Sequence, residues 1–190
     1  AVRIADVKAG SRVMVIGAGP IGLAVALWCR FFGAREVIVS EVTKTRAALA
    51  KTMGATAVIH PDLDSGAEGL LQQFSDIAGG APDVIFECVG APGLLQQCIE
   101  MAPHHGKIIP VGVCEQPDAI IPFFGLVKEL RIQFAIAYTR DDFDTCVAML
   151  GERRIDVSPM VTDIVSLDEL PDAFEALRTP SHQCKVLTRM

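Results

Sequence analysis

Residues 13–41 contain the pattern that restricts the fold of this chain more than any other. An uncharged apolar run leads into a glycine-rich segment at 17–22, an apolar helix-like stretch follows, and a second apolar run ends at Glu41. That order is typical of a strand, a tight turn, a helix and a second strand that together bind a dinucleotide. A transmembrane helix is the alternative for so long an uncharged run, but its central Gly-Ala-Gly-Pro would break the helix.

Each glycine of this segment has a separate expected role. Gly17 permits a tight turn out of the first strand, and Gly19 removes the Cβ atom that would keep the backbone away from a pyrophosphate. Gly22 allows the helix to pack closely on the strand. The beginning of the helix offers free N–H groups and a partial positive charge, so the segment predicts a phosphate-binding loop.

Glu41 lies 19 residues beyond Gly22, at the end of the second apolar run. A carboxylate there can accept hydrogen bonds from a ribose diol and would repel a 2′-phosphate, which favours NAD over NADP. The alternative is a solvated carboxylate at a strand end, and neighbouring loops can also admit NADP.

Composition limits the class of protein. With 190 residues, 51% of them hydrophobic, the chain is long enough for one α/β domain with a small appendage and too apolar for a disordered segment. The apolar excess also indicates a surface covered by another domain or subunit. The net charge is −6 and the 17 Lys and Arg residues are scattered, so no nucleic-acid or membrane partner is expected. No leader pattern opens the sequence, and we expect a cytoplasmic protein.

The cysteines and histidines lack the spacings of a metal site. No CxxC pair occurs, and no histidine has an i,i+4 or HExxH partner, so no metal ligand is predicted. We expect the six cysteines to be buried thiols in a reducing compartment. Zinc ligation and disulfide bonds are the alternatives. The cysteines are Cys29, Cys88, Cys98, Cys114, Cys146 and Cys184.

Apolar runs alternate with helical patterns along most of the chain, which predicts a doubly wound α/β fold of the Rossmann type. We expect six parallel strands in the order 3-2-1-4-5-6, with the ligand across the carboxyl ends of strands one and four. The expected strands are 12–16, 36–40, 57–59, 83–87, 107–111 and 130–136, and the expected helices 20–32, 43–53, 64–78 and 92–101.

After Tyr138 the regular alternation of apolar strand patterns and helical patterns ends. Asp141 or Asp142 is expected to cap a helix that ends near Leu150, and a short strand at 161–165 precedes a capping-box pattern at 166–169 that opens a helix to about Arg178. A final strand is expected at 185–188. We therefore divide the chain into a Rossmann domain, residues 1–140, and a C-terminal segment, residues 141–190, that forms a different layer.

These stretches together resemble the medium-chain dehydrogenase/reductase family, in its zinc-type alcohol, polyol and threonine dehydrogenase branch. The resemblance covers all 190 residues but only the later part of such an enzyme. The matching stretches are AGSRV at 9–13, GAGPIGL at 17–23, Glu41 with Arg46, AKTMGA at 50–55, FECVG at 86–90, GKIIPVG at 106–112 and CKVL at 184–187.

The resemblance implies a set of cofactor contacts. The glycine loop would meet the pyrophosphate, Glu41 with Arg46 the adenosine ribose, and the ends of strands four to six the nicotinamide half. Tyr138 and Arg140 could reach the ligand or belong to a solvated loop. The implied contact residues are Gly17, Gly19, Pro20, Ile21, Gly22, Glu41, Arg46, Cys88, Val89, Ala91, Val111, Gly112, Val113, Ala135 and Ala137.

By the same resemblance, the catalytic zinc, the substrate pocket and the proton-relay groups belong to an N-terminal domain that this sequence does not contain. We therefore expect the NAD-binding portion of a zinc-type alcohol or polyol dehydrogenase, inactive alone, with no catalytic residue or metal ligand of its own. The alternatives are a zinc-free quinone or enoyl reductase domain that uses NADPH, and a non-catalytic NAD-sensing module. The family also pairs through its sixth strand, and the apolar edge at 130–134 predicts a homodimer.

Overall fold

The computed structural model describes residues 1–178 and 182–190, in which six parallel strands form one sheet. The order is β3-β2-β1-β4-β5-β6, which confirms the predicted doubly wound topology. The strands are β1 (Arg12–Ile16), β2 (Glu36–Ser40), β3 (Ala57–Ile59), β4 (Val84–Glu87), β5 (Lys107–Pro110) and β6 (Arg131–Ile132).

Helices cover both faces of this sheet. Pro20 begins the first helix, where its missing N–H costs no hydrogen bond, and Gly79 ends the third with a left-handed φ of +70°. The helices are α1 (Pro20–Phe31), α2 (Lys44–Thr52), α3 (Gly66–Ala78), α4 (Leu94–Met101) and α5 (Pro122–Val127). Helix α5 was not expected from the sequence.

Two hydrophobic clusters lie on opposite faces of the sheet because successive side chains of a strand point in opposite directions. In β1, Val13 and Val15 join the cluster that contains α1, whereas Met14 joins the cluster that contains α3 and α4. The central strands are buried on both sides, which is why the middle of each of them is apolar.

The sixth strand is shorter than predicted. The expectation was 130–136, but only Arg131–Ile132 pairs as a strand with β5. The amides of Gln133 and Ala135 still donate to the carbonyls of Ile108 and Pro110, so the chain runs on beside β5. As the edge of the sheet, this segment has a neighbour on one side only within the described residues, and its pairing ends early.

The two strands predicted after residue 140 pair with each other in a separate two-stranded parallel sheet, a pairing that the sequence analysis did not predict. This part of the chain contains α6 (Arg140–Gly151), β7 (Val161–Ser166), α7 (Leu170–Ala176) and β8 (Lys185–Arg189). The expectation that Asp141 or Asp142 caps α6 is wrong, because Thr139 is the N-cap. Its hydroxyl accepts from the Asp142 amide while the Asp142 carboxylate accepts from the Thr139 amide, which is a complete capping box.

The predicted capping box is present at Ser166 and Glu169, which exchange hydrogen bonds, and α7 ends at Ala176, two residues before the expected end at about Arg178. Met160 and Cys184 pack against the first hydrophobic cluster, so the part of the chain after residue 140 contacts the core of the six-stranded sheet. In the described part of the chain, no helix is long and apolar enough to cross a membrane.

Candidate functional site

A cleft of about 360 Å³ opens at the carboxyl ends of the central strands, where the topology predicts a ligand site. Its wall is formed by the ends of β1, β2 and β4 together with the beginnings of α3 and α4. Six of the predicted contact residues line it: Gly17, Gly19, Glu41, Arg46, Cys88 and Val89.

The three glycines of the loop differ in the space around them. Gly17 has a φ of +94°, and a Cβ atom there would lie 2.6 Å from Cγ2 of Val89. A Cβ atom on Gly22 would overlap the carbonyl oxygen of Gly17, so helix and loop can approach only with glycine at this position. Above Gly19, no heavy atom of the described residues lies within 4 Å of an ideal Cβ atom. The loop is therefore tightly packed from beneath and open towards the cleft.

The first turn of α1 is suited to an anion. Gly19 is the N-cap, and within the described residues no side chain caps the helix and no acidic residue lies in its first turn. The amides at a helix start lack partners inside the helix and carry a partial positive charge. A phosphate group in the open space above Gly19 would meet both.

Glu41 is 5% exposed and forms part of the cleft wall. Its Oε2 accepts a hydrogen bond from the Ala18 amide and its Oε1 one from the Thr43 amide, each at 2.8 Å. Each carboxylate oxygen has two lone pairs, so both can accept a further bond from a ligand hydroxyl. His60 contacts the same residue, with Nδ1 3.0 Å from the Glu41 carbonyl oxygen. Glu41 therefore connects the end of β2 to the glycine loop and still offers acceptors to the cleft.

The loops after β4 and β5 are held together by close backbone contacts. Gly90 has a φ of +78°, and a Cβ atom there would lie 2.5 Å from the nitrogen of Val113. A Cβ atom on Gly112 would lie 2.7 Å from the Cα atom of Gly90. The Glu87 carboxylate, which is 4% exposed, accepts hydrogen bonds from the Val89 and Gly90 amides at 2.6 and 2.8 Å.

Glu87 was missed by the sequence interpretation. The available signal was an acidic residue at the end of an apolar strand, the same signal that singled out Glu41. The residues that complete the cleft wall from the loop after β3 and from the two following helices were also missed, and these are Pro61, Asp62, Gly66, Leu70, Leu94 and Gln97.

A second cavity of about 300 Å³ lies beside α1 and the beginning of α6. It contains Ile21, Val111 and Ala137 from the predicted set, with Trp28 and Tyr138. The predicted contacts thus divide between two cavities. Six predicted contact residues line neither cavity but lie within a few residues of the chain from ones that do. They are Pro20, Gly22, Ala91, Gly112, Val113 and Ala135.

The thiols near the cleft are not activated. Burial and the neighbouring Glu87 raise the pKa of the Cys88 thiol, which therefore stays protonated near neutral pH. No group of three or more His, Cys, Asp or Glu residues in the described ranges is placed to hold a metal ion. A catalytic zinc therefore does not fit on these residues.

A family model described as "Zinc-binding dehydrogenase" matches residues 20–152. D-xylulose reductase of Saccharomyces cerevisiae is 31% identical over 91% of this chain and 49% of its own length. The crystal structure of 2R,3R-butanediol dehydrogenase from Bacillus subtilis superposes with a TM-score of 0.87 at 30% identity, over 100% of this chain and 53% of that one.

A zinc-binding dehydrogenase of Sinorhizobium meliloti, in a structure bound to NADP, has a TM-score of 0.87 at 28% identity, over 100% of this chain and 55% of its own. The chain spans about half the length of the relatives it matches. The family model, the relatives and the fold agree, and the chain belongs to the zinc-binding dehydrogenases, the zinc-type branch of the medium-chain dehydrogenase/reductase family.

Proposed function

We propose that this chain is the NAD-binding portion of a zinc-type alcohol or polyol dehydrogenase, in which hydride passes between an alcohol carbon and the nicotinamide. The observation that carries the proposal is the buried Glu41 carboxylate, fixed by two backbone amides beside an open glycine loop. A ribose diol can donate to its free lone pairs while the diphosphate lies against the start of α1. The cofactor supplies the hydride chemistry, and the chain supplies binding and orientation.

The preference for NAD follows from charge. A 2′-phosphate would lie next to the nearly buried Glu41 carboxylate, and like charges at short range in a poorly solvated site repel strongly. Arg46 lines the same cleft and could offset part of that repulsion. Because one related structure contains NADP, selectivity has to be measured on this chain.

We assign the cofactor contacts as the sequence suggested them. The glycine loop would hold the diphosphate, Glu41 and Arg46 the adenosine ribose, and the loops after β4 to β6 the nicotinamide half. The full set is Gly17, Gly19, Pro20, Ile21, Gly22, Glu41, Arg46, Cys88, Val89, Ala91, Val111, Gly112, Val113, Ala135 and Ala137. These 190 residues alone are expected to bind cofactor without alcohol turnover, because the chain spans about half of its relatives.

The domain boundary and the assembly are also proposals. The separate β7–β8 sheet supports a Rossmann domain at 1–140 followed by a segment, 141–190, that packs with the remainder of a longer enzyme. The open edge at β6, continued by Phe134 at 71% and Ile136 at 90% exposure, supports a homodimer. Light scattering that gives a monomer at high concentration would contradict the proposed dimer.

The six free cysteines support a reducing, cytoplasmic location.

The proposed function is tested by calorimetric titration with NADH and, separately, NADPH. We expect NADH to bind at least about tenfold more tightly, which corresponds to about 1.4 kcal/mol. Glu41→Ala should weaken NADH and reduce the discrimination. Glu36→Ala is the matched control, because Glu36 lies at the opposite end of β2 and accepts from Thr56 Oγ1 outside the cleft.

Two outcomes favour the alternatives. Tighter binding of NADPH would support a quinone or enoyl reductase type of domain. Binding of NADH, together with a natural protein that shows no alcohol oxidation, would support an NAD-sensing module. Failure of both nucleotides to bind would contradict the proposed function of these residues.

A further inference from the structure

Glu87 is a buried carboxylate for which the proposed cofactor contacts provide no role. It is the last residue of β4 and is 4% exposed. A buried carboxylate has to be compensated by hydrogen bonds, since its transfer out of water is costly. Here the compensation comes from the amides of Val89 and Gly90, two and three residues further on, so the carboxylate folds the chain back into a tight turn.

This turn is connected to the loop after β5. The main-chain carbonyl of Glu87 accepts hydrogen bonds from the Val111 and Gly112 amides at 2.8 and 2.9 Å. Gly90, which the carboxylate holds from the other side, lies so close to Gly112 and Val113 that neither glycine has room for a side chain. The position of Gly90 therefore determines how near the two loops can approach each other.

The turn is also connected to the glycine loop. A Cβ atom on Gly17 would lie 2.6 Å from Cγ2 of Val89, so the Val89 side chain packs directly on the tight turn after β1. Val89 is 51% exposed and lines the cleft, and Val113 is 66% exposed. One buried carboxylate thus fixes a half-exposed surface that is assembled from three strand ends.

We propose that Glu87 is the positioning residue for the nicotinamide half of the cofactor, acting through the backbone of Val89 and Gly90 on the loop that contains Gly112 and Val113. The inference rests on the proposed function, because it assumes that these loops contact the nicotinamide half. Glu87 itself does not touch the ligand. Loss of the Glu87 carboxylate should therefore reduce the binding free energy that the nicotinamide half contributes. The contribution of the adenosine half should stay unchanged.

The test compares NADH with ADP, which has the adenosine and diphosphate but neither the second ribose nor the nicotinamide. Glu87→Met keeps the length of the side chain but removes the acceptor. We expect it to weaken NADH about tenfold and ADP by about twofold or less, as measured by calorimetry. Glu87→Gln keeps an oxygen of the same reach and should retain most of the NADH affinity. Glu36→Met, at the amino end of β2 and outside the cleft, should leave the affinity for both ligands unchanged.

The results separate the inference from the proposed function. A wild-type chain that binds neither ligand contradicts the proposed function. A wild-type chain that binds both equally, or a Glu87→Met variant that weakens both equally, overturns the inference and leaves dinucleotide binding in place. If Glu87→Met does not melt cooperatively, Glu87→Asp is measured in its place. Its shorter carboxylate cannot reach both amides in the same geometry, so the same selective loss of NADH affinity is expected.

Discussion

Gly22 lies directly against the carbonyl oxygen of Gly17, so that a Cβ atom at Gly22 would overlap it. The contact attaches the first turn of α1 to the tight turn that leaves β1. Gly19, between them, faces open space. Packing thus explains the glycine at position 22, and we propose phosphate binding as the reason for the glycine at position 19.

The first prediction separates these two reasons. Gly22→Ala should lower the free energy of unfolding by about 1–3 kcal/mol, because the added methyl group forces the loop and helix apart. Gly19→Ala should cost about 1 kcal/mol or less, since Gly19 has an ordinary φ of −70°, yet it should abolish most NADH binding. Denaturant unfolding and calorimetry give the two quantities. A stable Gly19→Ala variant with full NADH affinity would contradict the phosphate-loop assignment.

The sequence predicted the parts of this fold that are buried on both faces. The bounds of β1 and β2 are as expected because Val13 and Val37 begin short apolar runs of the kind that a covered parallel strand requires. The bounds of β3, at the sheet edge, are also as expected. The length of β6, at the other edge, was overestimated. Phe134 and Ile136 were expected inside the strand, but both side chains are exposed. An apolar sequence pattern does not show whether its side chains are covered.

The candidate site was predictable where local chemistry determines it. The glycine loop and Glu41 follow from spacing, since the turn and the strand end are separated by one helix of standard length. Asp62 and Gln97, which complete the cleft, could not be found in this way. Their positions depend on the path of a loop and on how two helices pack. Thr139 was overlooked as a cap because two aspartates of comparable capping ability follow it.

The second prediction concerns the stability of the domain at low pH. Partial burial raises the pKa of the Asp83 carboxyl, but hydrogen bonds and charge from Arg12 outweigh it, so the pKa lies below its usual value. A lowered pKa in the folded state stabilises the protein above the unfolded pKa, about 4, and the stabilisation is lost as the pH falls through the folded value. Asp83→Asn should therefore destabilise at pH 7 by about 1 kcal/mol or less, because the pair is partly exposed.

Chemical denaturation of the wild type and Asp83→Asn at several pH values checks this expectation. The difference in unfolding free energy should shrink steadily below about pH 4. A difference that stays constant down to pH 2 would show that the carboxylate charge has no part in the effect.

The third prediction concerns the reactivity of the cysteines. Burial raises the pKa of the Cys29 thiol to about 12 and also raises that of Cys98, so both remain protonated and shielded at pH 8. Cys114 is exposed. Iodoacetamide followed by peptide mass mapping should label Cys114 first and spare the two buried thiols. The chain in denaturant, where all six cysteines should react, is the control. Early modification of Cys98 in the folded chain would contradict its burial.

The fourth prediction concerns the attachment of the C-terminal segment. Thr139→Ala removes the hydroxyl that caps α6 and that also accepts a hydrogen bond from Arg3. The expected cost is about 1 kcal/mol in unfolding free energy, measured by denaturant titration. Thr139→Ser should restore nearly all of it. Equal stability of the alanine variant and the wild type would mean that the helix end is frayed in solution.

Strand order also determines where the molecule opens first. β1 and β4, at the centre of the sheet, each have a paired strand on both sides, whereas β6 is a two-residue edge and β7 with β8 form a small sheet of their own. Amide hydrogen exchange should therefore be slowest at the centre and fastest at β6 and in the C-terminal strands. The glycine loop follows β1 and the Glu87 turn follows β4, the two strands in which we expect the slowest amide exchange. Fluctuations that transiently detach β6 or the C-terminal strands can therefore occur while the cleft at the ends of β1 and β4 keeps its shape.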